Sequence, residues 1–142
     1  MNFWTILKRA WYFIAYNGRF SFKPAEMALL DAALAKLPPD DVDALQRQLR
    51  SLPFFQRFNK GRMVYLGLDR YKGPLLSKKD NPCCVARVEI LMTGETMFAS
   101  LVSMKGVLRI LYFPNPPDDS PVEVGDVFLY PLHHSAHGSE WG

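Results

Sequence analysis

The sequence predicts an α+β fold, with about three N-terminal helices packed on one face of a C-terminal antiparallel sheet of five to six strands. Two observations carry this reading. From Cys83 to Phe113, the apolar runs CCVARVEILM, TMFASLVSM and VLRILYF are separated only by the short breaks TGE and KG, the pattern of an antiparallel meander. Upstream, apolar residues recur instead at helical spacing, with breaks at Asn17-Gly18 and Pro38-Pro39. Helices first and hairpin-connected strands afterwards place the helices together on one sheet face.

Asn2–Tyr16 is expected to be the first helix. Trp4, Leu7, Trp11 and Ile14 form one stripe, while Phe3, Ile6, Tyr12 and Phe13 leave the remaining surface hardly polar. A helix apolar on most sides is buried or docked. The leading expectation is a core helix covering the sheet, ahead of an interfacial anchor or a subunit contact. Lys8 and Arg9 interrupt the apolar run, and Ala10–Tyr16 falls far short of the roughly 20 residues of a membrane span. The expectation is a soluble, cytoplasmic protein with no membrane span.

The second helix opens at Pro24 and carries Glu26 in its first turn; Met27, Leu30, Leu34 and Leu37 are its apolar stripe. Pro38-Pro39 stops it, because a residue preceding proline is pushed out of helical geometry. The third helix is expected to be capped by Asp40 or Asp41. Val42, Leu45, Leu49 and Leu52 form its stripe, with Arg47 and Arg50 near the far end.

After Pro53 the period changes to two. FFQRF and RMVYLGL flank a Gly-containing turn, with Phe54, Gln56 and Phe58 on one face and Phe55 and Arg57 on the other. Residues 69–82 read as a long polar, mobile connection. In the next run, Cys84, Ala86, Val88, Ile90 and Met92 are expected on one face and Arg87 and Glu89 on the other. VEVGDVFLYPL supplies a last strand or two, bent at Gly125, and residues 133–142 a tail. The chain is therefore expected to form a single domain over 1–142, with helices within residues 1–52, the sheet within residues 53–132 and a tail over 133–142.

Composition is that of a globular chain, at 49% hydrophobic and 22% charged. The net charge of +3 is uneven: residues 1–73 hold 12 Lys and Arg against 6 Asp and Glu, and residues 74–142 hold 5 against 8. The two cysteines are the neighbours Cys83 and Cys84, read as free thiols suited to a reducing compartment.

Candidates for chemistry are few. His133, His134 and His137 cluster near the end of the sequence and are weak metal candidates; Ser135, Ala136 and Gly138 do not favour the helix that would align them. No metal and no cofactor is expected. Cysteines within a strand are packing residues before they are nucleophiles. Asp40-Asp41 is explained by capping, and no phosphate loop, nucleophile elbow or dinucleotide fingerprint occurs. A non-enzymatic protein is therefore expected.

Between Arg47 and Lys72 basic residues interleave with aromatics. Arg57, Lys60, Arg62, Arg70 and Lys72, with Tyr65 and Tyr71, form the expected partner-binding set, since Arg and Tyr dominate interface anchors. The function expected is a protein-binding module, most concretely an inhibitor of the bacterial immunity type. Such a protein occludes a toxin domain's active site, and its partner would present an acidic surface. Nucleic-acid binding by the same stretch is the alternative. A small-molecule site or enzyme pocket between helices and sheet, with Arg87, Glu89, Arg109 or Tyr112 pointing in, is the second.

Overall fold

The computed structural model describes residues 22–131, and the helix expected over 2–16 and the three histidines lie outside them. Among the described residues there are two helices and a six-stranded, fully antiparallel sheet. None of these helices is long and apolar enough to cross a membrane.

Helix α1 (Pro24–Lys36) opens on its proline, and Glu26 Oε1 accepts the Lys23 backbone N–H at 2.8 Å. Helix α2 (Pro39–Arg50) starts one residue after the Pro38 corner, and neither Asp40 nor Asp41 caps it. Asp41 instead points inwards and is buried. It accepts the Ser77 N–H and hydroxyl, each at 2.8 Å, and the Tyr130 hydroxyl at 2.7 Å. An acid in the first turn suits the helix dipole either way; here long-range donors claim it.

The strands are β1 (Phe55–Phe58), β2 (Met63–Leu66), β3 (Cys83–Met92), β4 (Glu95–Met104), β5 (Val107–Tyr112) and β6 (Glu123–Leu129), in the order β1-β2-β5-β4-β3-β6. β4 and β5 meet at Lys105-Gly106, both with positive φ, the geometry of a tight two-residue hairpin turn. α1 packs over β3, β4 and β6, and α2 over β5. One sheet face therefore forms the core: Ala86, Val88, Ile90, Ala99, Leu101, Leu108 and Leu111 meet Leu29, Leu30, Ala33, Leu34, Leu45 and Leu49.

Two irregularities re-aim side chains. The β3–β4 register slips between Cys84 and Ala86, so Val85 is an extra residue and Cys84 lies opposite Val102, on the face away from the helices. Cys84 does not share the Ala86 face as strict alternation requires; a bulge inserts one residue and inverts the sense of everything before it. The β3–β6 register slips between Val88 and Ile90. Beside that slip Gly125 lies under Glu89, whose carboxylate a Cβ would strike, and Glu89 Oε1 accepts the Asp126 N–H at 3.0 Å.

The connection over 69–82 is polar in sequence but tied down. Leu76 is fully buried and donates its N–H to Gly106 O at 2.9 Å. Ser77 is held by Asp41, and Lys105 N–H reaches Asp80 O at 3.1 Å. The wholly buried Gln48 completes the clasp. Its amide donates to Pro74 O at 3.2 Å and to Gly106 O at 2.9 Å, and its oxygen accepts the Leu108 N–H at 2.7 Å.

Candidate functional site

The sheet face away from α1 and α2 is ordered in transverse rows that the strand register defines. One row crosses all six strands as Phe58, Met63, Tyr112, Ser100, Arg87 and Phe128. A second runs Gln56, Tyr65, Ile110, Val102 and Cys84. Beyond the first row, Phe98 stands opposite Glu89 and Thr96 opposite Leu91.

A groove of about 740 Å³ opens over the first row, lined by Arg87, Thr96, Phe98, Ser100, Tyr112 and Phe128, with Met97, Pro114, Asn115 and Pro131 also at its walls. Phe98 and Phe128 are 41% and 47% exposed, and their ring centroids lie 6.3 Å apart. Two large aromatics half in water, side by side, are the opposite of what a finished core does with phenylalanine.

Polar groups are paired at one groove-lining residue, Tyr112, and around Asp69, which does not line the groove. Arg62 donates to the Tyr112 hydroxyl at 3.0 Å, its guanidinium 5.8 Å from that ring. Asp69 accepts from Arg109 at 2.5 Å and from the Tyr65 hydroxyl. That carboxylate hydrogen bond, with burial second, holds the Tyr65 phenol above its ordinary pKa. Burial pushes the Cys84 thiol up to about 11, so it is a poor nucleophile at neutral pH.

The seven residues expected to bind a partner divide between surfaces. Arg62 and Tyr65 lie on the open face. Arg57 lies on the helix face, where it forms a two-point ion pair with the fully buried Glu26, at 2.8 and 2.7 Å. That hydrogen bond raises the Arg57 pKa further. Tyr71 packs against the core and donates to Pro74 O at 3.0 Å. Lys60, Arg70 and Lys72 are exposed, the first in the β1–β2 turn and the others in the connection after β2.

Of the residues expected to point into a pocket between helices and sheet, Arg87 and Tyr112 do line a groove, but on the opposite face. Glu89 is engaged by β6, and Arg109 by Asp69. Sequence reading passed over Phe98 and Phe128; period-two alternation places Phe98 on the Arg87–Glu89 side only once the β3–β4 register is known. Among the described residues no three His, Cys, Asp or Glu side chains converge as a metal site. Compared with protein-family models, with curated proteins and with solved structures, the chain matches none.

Proposed function

We propose that the protein is a binding module that grips another protein through the open face of its sheet, with Phe98, Phe128 and Tyr112 as anchors. The observation that carries this reading is the pair of half-exposed phenylalanines, side by side in a groove of the open face. Aromatic anchors in a desolvated centre, surrounded by polar rim, are the composition of interface hot spots. Rings held in place before binding lose little conformational freedom on association. Lys60, Arg70 and Lys72 stand apart from the groove and act as steering charges for an acidic partner, changing the association rate more than the affinity. An inhibitor that covers a toxin's active site is the most concrete member of this class.

A second reading is supported by the groove's size. A volume of about 740 Å³ with mostly apolar walls also suits a small ligand with an apolar body.

The test is retention of partners from a lysate by the wild-type chain and by Phe98→Ala/Phe128→Ala, with and without nuclease. One protein retained near one-to-one, resistant to nuclease and lost in the double variant, is the expected result. Equal retention by both chains overturns the groove assignment. Loss on nuclease treatment moves the function to nucleic acid, and a co-purifying small molecule in native mass spectrometry moves it to the second reading.

A further inference from the structure

The arginines of the described residues differ in what answers them. Arg47, Arg57 and Arg109 each meet a carboxylate, at 3.2, 2.7 and 2.5 Å. Arg62 meets none among the described residues. Its side-chain partner is the neutral Tyr112 hydroxyl at 3.0 Å, and its Nε is buried without a hydrogen bond. The residue is only partly exposed, and a cation half out of water without an anion is costly to hold there. Its place is fixed by the backbone: Phe113 N–H donates to Arg62 O at 2.7 Å, which ties the residue to the end of β5, where Tyr112 lines the groove. The Tyr112 hydroxyl accepts from Arg62, and its own proton has no acceptor among the described residues. Donors at this end of the groove therefore outnumber acceptors. Among the described residues that line the groove there is no Asp or Glu. Glu89, on the Arg87 side of β3, accepts the Asp126 N–H instead.

We infer that the Tyr112 end of the groove receives a carboxylate of the partner protein, an Asp or Glu side chain in an extended segment that lays a large apolar side chain against Phe98 and Phe128. The inference rests on the reading of the groove as a protein-binding surface and adds the chemistry of what enters it. Arg62 is the counter-ion, and the Tyr112 hydroxyl, held by Arg62, donates to the same carboxylate. The register sets the spacing. Tyr112 stands opposite Ser100, and Phe98 lies two residues from Ser100 on the same face of β4. That is ~5 Å across the strands and ~7 Å along them, a diagonal of about 8 Å. Side chains two residues apart on one face of an extended chain are also separated by about 7 Å. The fitting partner motif is therefore an acid and a large apolar residue with one residue between them. Charge complementarity selects the acid. The charged residue that lines the groove, Arg87, is itself a cation, so a basic segment is repelled, and a wholly apolar one would bury Arg62 further with no anion to answer it.

Four short peptides, titrated into the full chain at low salt and followed by NMR, test this. They are acetyl-Phe-Ala-Asp-amide, acetyl-Asp-Ala-Phe-amide, and the same pair with Asn in place of Asp. The better Asp peptide should bind about tenfold more tightly than its Asn counterpart, as one hydrogen bond to a charged group implies. Arg62→Gln and, separately, Tyr112→Phe should each bring that ratio down several-fold, and Phe98→Ala/Phe128→Ala should lose both peptides. Tyr112→Phe removes only a hydroxyl, so it decides the matter if Arg62→Gln fails to fold. Equal binding of Asp and Asn peptides, with both lost in Phe98→Ala/Phe128→Ala, overturns the carboxylate assignment and keeps the protein-binding reading. An Asp preference that survives both Arg62→Gln and Tyr112→Phe places the carboxylate elsewhere and overturns the assignment too. Binding of none of the four, or binding that ignores the Phe98 and Phe128 substitutions, overturns the groove reading along with it. Decanoate held more tightly than any peptide gives the site to a small amphipathic acid. Self-association of the chain that Phe98→Ala/Phe128→Ala abolishes gives it to a second copy, and either result overturns the assignment to a partner's acid.

Discussion

The two faces of the sheet obey different rules. The helix face is sealed with Leu, Val, Ile and Ala, and three buried polar side chains on that side are answered: Glu26 by Arg57, Asp41 by Ser77 and Tyr130, Gln48 by Gly106 and Leu108. The open face mixes aromatic, aliphatic and polar side chains and leaves Phe58, Phe98 and Phe128 well exposed. The helix face specifies the fold through buried groups that tolerate no loss of a partner. The open face places apolar area where it contributes little to folding, and the proposed recognition role rests on that difference.

Substitutions on the helix face should therefore cost stability and leave recognition intact. Arg57→Ala strands the buried Glu26 carboxylate and should lose about 3 kcal/mol in urea unfolding. The value sits at the low end of the range for broken buried pairs because the Arg57 side chain is 29% exposed and water partly screens the pair. A loss under about 1 kcal/mol would mean that Glu26 finds other donors. Gln48→Ala should cost about 2 kcal/mol, by leaving the Leu108 N–H without its acceptor and removing one of the two donors to Gly106 O, which keeps the Leu76 N–H. It should also raise hydrogen exchange at Leu76 and Ser77, since the same side chain clasps that connection; unchanged exchange would show that Asp41 and Leu76 suffice.

Cys84 sharpens the contrast through pH. Its proton is held more tightly in the folded state, so the stabilisation is full below the ordinary thiol value of 9.0 and is lost as pH rises through about 11. Across that window the wild type should lose up to about 2 kcal/mol more than Cys84→Ala. Parallel stability curves for the two would contradict a covered Cys84.

Much of this division is legible in the sequence. Ala86, Val88 and Ile90 against Arg87 and Glu89 give the two faces of β3, and Phe55 and Arg57 against Gln56 and Phe58 give those of β1. Both α1 and α2 follow their apolar stripes and proline stops. What escapes is non-local. The Val85 bulge that turns Cys84 over depends on how β3 meets β4, and nothing in CCVAR marks it. Asp41 reads as a cap because the donors that claim it, Ser77 and Tyr130, are 36 and 89 residues away. The connection over 69–82 reads as mobile because its tethers lie on α2 and the β4–β5 turn. The groove is the extreme case: its lining comes from β3, β4, β5, β6 and two loops, so no window of sequence contains it.

The smallest stability effect belongs to the residues on which the functional reading depends. In Phe98→Ala/Phe128→Ala, unfolding free energy and partner binding should be measured on the same preparation. Because both rings are already about half in water, the expected result is a stability loss of about 1 kcal/mol per ring together with loss of the partner. A large loss of stability would make these rings part of the core. Wild-type binding at wild-type stability would remove the open face from recognition altogether.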